Sequence, residues 1–245
     1  FPMHLRDFAD LASTSVGSRR ALGRISSRDI ADLASTSVGS SAGGYRLTAE
    51  SAATERIVGG SIERRAARIV ETSSADGKSF GPERVLLDDA TVRSPSRVVM
   101  PGGASWLFVV DDGGRVRVAK EKEGAFALEP EPVFAIDPAA RPDAALGVLA
   151  AEVRRVGDEL LLLYAAGSGG LDRRVPLRTA IGLARSRDGV RFVDGGRWLL
   201  AQERTDEAGG FGWPSLAVHD GAMHLYFTKV DARHEPTIGH ARCAL

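Results

Sequence analysis

The sequence predicts an all-β chain folded as a β-propeller, and three observations carry that expectation. First, AIGLARSRDGVRFVDGGRWLL at 180–200, preceded by LLLLYAAG at 160–167, holds two apolar runs, a DG turn and an aromatic three residues past the glycine. That order reads as successive strands of one antiparallel sheet. Second, the same SxDGxxF core recurs: Ser74, Asp76, Gly77 and Phe80 match Ser186, Asp188, Gly189 and Phe192. A weaker copy has Glu123, Gly124 and Phe126. Third, the corresponding alanines Ala119, Ala184 and Ala241 are 65 and 57 residues apart, a spacing that suits four-stranded blades with one long loop at 167–178. Repeated sheets of this size predict four to five antiparallel blades.

Taken in order, the chain opens with a leader over 1–44 in which RDFADLASTSVG at 6–17 returns as RDIADLASTSVG at 28–39. Asp7 and Asp29 suit a helix N-terminus and Gly17 and Gly39 a helix stop, so each copy is compatible with a short helix. Its richness in Ser, Gly and Arg equally fits an irregular leader. The propeller is expected over 45–245. Its blades fall at about 45–88, 89–138, 143–202 and 206–245, the last stopping before its SxDG turn and so lacking an outer strand.

Composition bounds the partners. With 32 basic and 32 acidic residues the net charge is zero, so no overall field favours nucleic acid or an anionic membrane. No apolar run approaches the roughly 18 residues that span a bilayer. The single cysteine, Cys243, excludes an internal disulfide framework and is expected to be a buried thiol. FPMHLRDF does not read as a basic segment, an apolar run and a small-residue cleavage site, so no secretory signal is expected in it.

The stretches IGLARSRDGVRF, LYAAG and WPSLAVHDGAMHLYFTK with IGHA resemble blades of the five-bladed glycosidase propellers of the arabinanase, levansucrase and invertase type. The resemblance covers roughly residues 90–245 and, more faintly, 45–90. It implies an axial funnel lined by the first strand of each blade, with an Asp base, a second Asp that positions substrate and a Glu acid. It also implies a carbohydrate partner, no cofactor, and an extracellular or periplasmic setting. Glycoside cleavage needs one protonated and one ionised carboxyl about 5–10 Å apart.

Aligning Tyr164 with Tyr226 and Leu107 places Pro95, Glu152 and Pro214 at one level of the inner strands, preceded by Ser94, Ala151 and Trp213. In the enzymes an Asp often stands just before that proline; here none does. The favoured expectation is therefore a carbohydrate-directed propeller, catalytically degenerate, binding a glycan at its axial face. Two alternatives stand beside it. An active hydrolase would use Glu152 as general acid and Asp143 or Asp206, in the loops leading into their blades, as base. A protein-interaction propeller would use its rim loops.

Glu152 matters because a carboxylate inside apolar VLAAEV must meet water, a ligand or a countercharge, with Arg154 or Arg155 close by. Trp213 is the candidate platform for a sugar face. Arg93 is the candidate hydrogen-bonding group for saccharide hydroxyls, or else the partner of Asp88 or Asp89. Trp106 and Trp198 read as core. His219 and His224 flank a DG turn, but two ligands fall short of the four of a closed zinc site, so no metal is expected.

Overall fold

A computed structural model describes residues 33–41, 44–51, 56–58, 61–63, 68–169, 178–201, 210–230 and 236–244. Residues 1–32 of the leader, most of the 167–178 loop and Asp206 lie outside them. No described helix is long and apolar enough to cross a membrane.

Seventeen strands are described. The first sheet runs β1 (Leu33–Ser41), β2 (Gly44–Ser51), β5 (Arg68–Ser74) and β6 (Arg84–Leu87), with a small hairpin of β3 (Arg56–Val58) and β4 (Ser61–Glu63) inserted. The second runs β7 (Val92–Val99), β8 (Ser105–Asp111), β9 (Val116–Lys122) and β10 (Ala125–Leu128). The third runs β11 (Val148–Val156), β12 (Glu159–Ser168), β13 (Arg178–Ser186) and β14 (Val193–Leu200). The fourth has three strands, β15 (Gly210–His219), β16 (Ala222–Val230) and β17 (Pro236–Ala244). Every pairing within them is antiparallel.

The sheets pack face to face in chain order, with β1 against β7, β7 against β11 and β11 against β15. Strand alternation explains why the middle strands read as unbroken apolar runs: both faces of an inner sheet are covered. In β12, Leu160, Leu162 and Tyr164 enter the core shared with the second sheet, which includes Phe108, Val110 and Val118. Leu161 and Leu163 enter the core shared with the fourth, among Phe211, Leu216 and Leu225. In β8, Leu107 and Val109 turn instead toward Ile69 and Leu87 of the first sheet. Trp106 and Trp198 lie part-buried against the core between the second and third sheets.

Two expectations need correction. Leu33–Ser41, placed in the irregular or helical leader, is a strand paired along β2 from Leu33↔Ser51 to Ser41↔Gly44. Its Ser, Thr and Val residues have no strong helical preference, and pairing with β2 gives its backbone groups partners. Cys243 is exposed, not buried, because it stands on β17, an outer strand of the fourth sheet.

The two SxDG turns are superimposable in their bonding. Ser74 Oγ donates to Asp76 Oδ1 and accepts from Gly77 N–H, each at 2.9 Å; Ser186, Asp188 and Gly189 repeat both distances. The carboxylates then accept the N–H groups of Lys78 and Val190, both at 2.8 Å. N–H donors, led by that of Ser79, hold the Asp76 carboxyl down at about 2, and those led by Val190 lower Asp188.

Candidate functional site

Strand register fixes the level of each inner-strand residue. Ala119, Ala184 and Ala241 pair with Leu107, Leu162 and Leu225, and these pair in turn with Arg97, Val153 and Leu216. One step earlier stand Ser96, Glu152 and Ser215. Glu152 is thus level with two serines, not with Pro95 and Pro214 as the tyrosine alignment has it. The slip has a local cause: Tyr164 and Phe227 occupy the same level, opposite Gly182 and Gly239, whereas Tyr226 faces the other side of its sheet.

Glu152 is 7% exposed and turned toward the fourth sheet. Its Oε1 accepts Arg154 Nε–H at 2.6 Å and its Oε2 accepts the backbone N–H of Leu216 at 3.2 Å. Ser96 does the same one sheet earlier, its Oγ accepting Val153 N–H at 2.9 Å and donating to Val153 C=O at 3.0 Å. The carboxylate therefore bridges two sheets with both oxygens engaged.

The start of the inner strands is built differently. β7 and β15 each carry a bulge, between Arg93 and Ser96 and between Gly212 and Ser215. Within each bulge the residue before proline has positive φ, +54° at Ser94 and +42° at Trp213, a conformation L residues rarely hold and one that re-aims a side chain. Ser94 is buried and its Oγ is bonded to the backbone of Ala151. Trp213 is 53% exposed. Arg93 donates to the carbonyls of Leu149 and Val148 at 3.4 Å and pairs with Asp112 at 3.5 Å. The expected alternatives are taken: Asp88 pairs with Arg68, and Asp89 accepts from Thr91. Glu50, at the end of β2, accepts the Ser94 N–H at 3.4 Å. Sequence reading did not single out Glu50; a carboxylate at the end of the alternating YRLTAES stretch was its only signal.

Asp143 belongs to another cluster. It sits in the short 3-10 turn Pro142–Ala144, accepts from Trp198 Nε1 on β14, and pairs with Arg141 at 3.4 Å. Arg141 lies 4.0 Å from the Trp198 ring centroid and pairs with Asp194, which accepts the Tyr164 hydroxyl at 2.9 Å. Burial, with Asp194 beside it, pushes the Tyr164 phenol well above its usual range. Asp143's partners are Trp198, on the outer strand of the third sheet, and Arg141, in the loop beside it, while those of Glu152 lie on β11 and β15; the described bonds of the two carboxyls have no residue in common. His224 Nδ1 lies 3.0 Å from His240 Nε2 and stacks on that ring, with His219 beside it.

Consecutive antiparallel sheets packed through their faces, with inner strands in common register, define a β-propeller, a fold this chain shares with solved arabinanase structures. Three solved structures show the likeness. The arabinanase of Cellvibrio cellulosa complexed with arabinohexaose superimposes with a TM-score of 0.61 at 13% identity, over 84% of this chain and 72% of that one. The GH62 α-L-arabinofuranosidase catalytic domain of Coprinopsis cinerea gives 0.63 at 12% identity, over 91% and 71%. An N-acetylgalactosamine deacetylase from F. plautii, in complex with blood group B trisaccharide, gives 0.61 at 16% identity, over 86% and 72%. No protein-family model and no curated protein sequence matches the chain.

Proposed function

We propose that this protein is a carbohydrate-binding propeller, catalytically degenerate, that takes a glycan at the axial face where its inner strands begin. One contrast carries the reading: Trp213 is exposed on a bulge near the start of β15, while Glu152, the one carboxylate among the described residues of β1, β7, β11 and β15, is engaged between two sheets. An exposed indole offers an apolar plane to a sugar ring, and Arg93 near the start of β7 and Glu50 near the end of β2 are polar groups suited to hydroxyls. The structural neighbours act on arabinan or bear a glycan, which supports carbohydrate as the ligand class; they carry different reactions, so the fold alone does not choose among these.

The test is binding and product release on arabinan, fructan, xylan and mannan by the wild-type protein, Trp213→Ala and Glu152→Gln. Saturable binding to one polysaccharide, without cleavage and weakened about tenfold in Trp213→Ala, is expected; tenfold corresponds to roughly 1.4 kcal/mol. Cleavage lost in Glu152→Gln would make the protein a hydrolase with Glu152 as its acid. Absence of both binding and cleavage would point to a protein ligand.

A further inference from the structure

The histidines of the fourth sheet have no part in the proposed glycan site. His224 on β16 is 7% exposed, and its Nδ1 lies 3.0 Å from Nε2 of His240 on β17. The two rings are parallel to within 7° and their centroids are 5.3 Å apart, about as wide as that contact permits, so the two nitrogens lie on the line joining the rings. Such a contact holds one proton, with one nitrogen donating and the other accepting. The far nitrogen of His224, Nε2, is buried and has no hydrogen-bond partner.

We propose that His224 and His240 form a one-proton latch that fastens β17 to the fourth sheet near neutral pH and lets it go in acid. While the bond is intact, only His224 Nε2 and His240 Nδ1 remain to take protons. A neutral pair fills one of them. A cationic pair fills both, and so sets an N–H at His224 Nε2, where nothing receives it. A further proton puts N–H against N–H and breaks the bond. Arg242, opposite His224 in the β16–β17 register, opposes added positive charge. The Tyr226 ring lies over His240 at 4.8 Å. From β15 come Ala217, opposite His224, and His219, whose Nε2 is paired with Asp220 at 3.1 Å. Unfolded, both imidazoles take up protons freely between about pH 5 and 8. The folded sheet then binds fewer protons than the unfolded chain and loses stability as pH falls through that range. Strand β17 is at the edge of its sheet, with β16 as its one described neighbour, so it is the strand released.

Nitrogen NMR of the imidazoles and amide hydrogen exchange, both on the full chain, test this. At about pH 8 the facing nitrogens of His224 and His240 should show coupling through the shared proton, and at about pH 5 none. Over the same interval the amides of β17, referred to the intrinsic exchange rate at each pH, should lose about tenfold more protection than those of β12. Both readings need only the wild-type protein. His240→Gln keeps a polar side chain but removes the second imidazole, and should abolish the difference between β17 and β12. Absence of coupling at the higher pH, β17 protection that falls no further than that of β12, or a His240→Gln protein whose β17 loosens in acid as the wild type's does would each overturn the proposal.

Discussion

Glu152 Oε2 accepts the N–H of Leu216 at 3.2 Å from the neighbouring sheet, at the level where Ser96 accepts that of Val153 at 2.9 Å. A carboxylate here does the work of a serine hydroxyl, and Arg154 balances the charge it brings. Glu152→Gln keeps an oxygen for Leu216 and should cost about 1 kcal/mol. Glu152→Ala leaves the buried N–H of Leu216 without its acceptor and removes the carboxylate from Arg154 Nε, and about 2–4 kcal/mol is expected. Urea denaturation of both variants checks the difference; equal losses would rule out a bridging role.

Gly182 faces the Tyr164 ring so closely that any β-carbon would overlap it, and Gly239 stands in the same relation to Phe227. Gly182→Ala is therefore expected to lower stability by about 2–3 kcal/mol through overpacking. Tyr164→Phe, which removes only the bond to Asp194, should cost about 1 kcal/mol. Thermal unfolding separates them; a neutral Gly182→Ala would mean that the ring moves freely.

Arg97 on β7 reaches across to Glu71 on β5, which Arg84 also approaches at 3.3 Å and Arg46 at 3.6 Å. Arg97 is bonded as well to Ser105 and lies over the Phe126 ring. Arg97→Met leaves Glu71 with its two more exposed partners, and a loss of about 3 kcal/mol is expected. Replacing both residues with Met should recover much of it; a double variant as unstable as the single one would argue against this pairing.

Asp76 and Asp188 have carboxyls that titrate below the unfolded value, so folding favours their ionised forms. Their contribution is fully present above the ordinary carboxylate range and disappears as pH falls toward about 2 at Asp76. The Asp76→Asn/Asp188→Asn protein should show a flatter stability profile over that interval than the wild type. NMR titration of the Asp76 carboxyl with a midpoint near 4 would contradict the turn geometry.

The fold was legible because propeller strands buried on both faces leave continuous apolar runs such as LLLLY, and because the SxDG turns repeat their bonding atom for atom. The inner-strand register was not legible. A period of two cannot tell Tyr226 from Phe227 as the match for Tyr164; the glycines opposite decide it, through ring contacts between strands distant in sequence. The clamp at Glu152 was hidden for the same reason, since its acceptor role toward Leu216 spans 64 residues. The positive φ of Trp213 and Ser94 had no signal in the sequence, since the proline that follows each favours extended backbone instead. Nothing in local pattern told the second LASTSVGS copy from a leader, because strand pairing, not propensity, makes it β1.

The bonds from Ser96 and Glu152 give the propeller a direction. At the joints from β7 to β11 and from β11 to β15 the earlier strand offers a side-chain oxygen and the later one meets it with a backbone amide, so these three sheets follow one another head to tail, like links that couple one way round. Ser215 carries the same oxygen at the leading end. A sheet inserted at either of these joints keeps the coupling if it brings an amide behind and an oxygen-bearing side chain ahead.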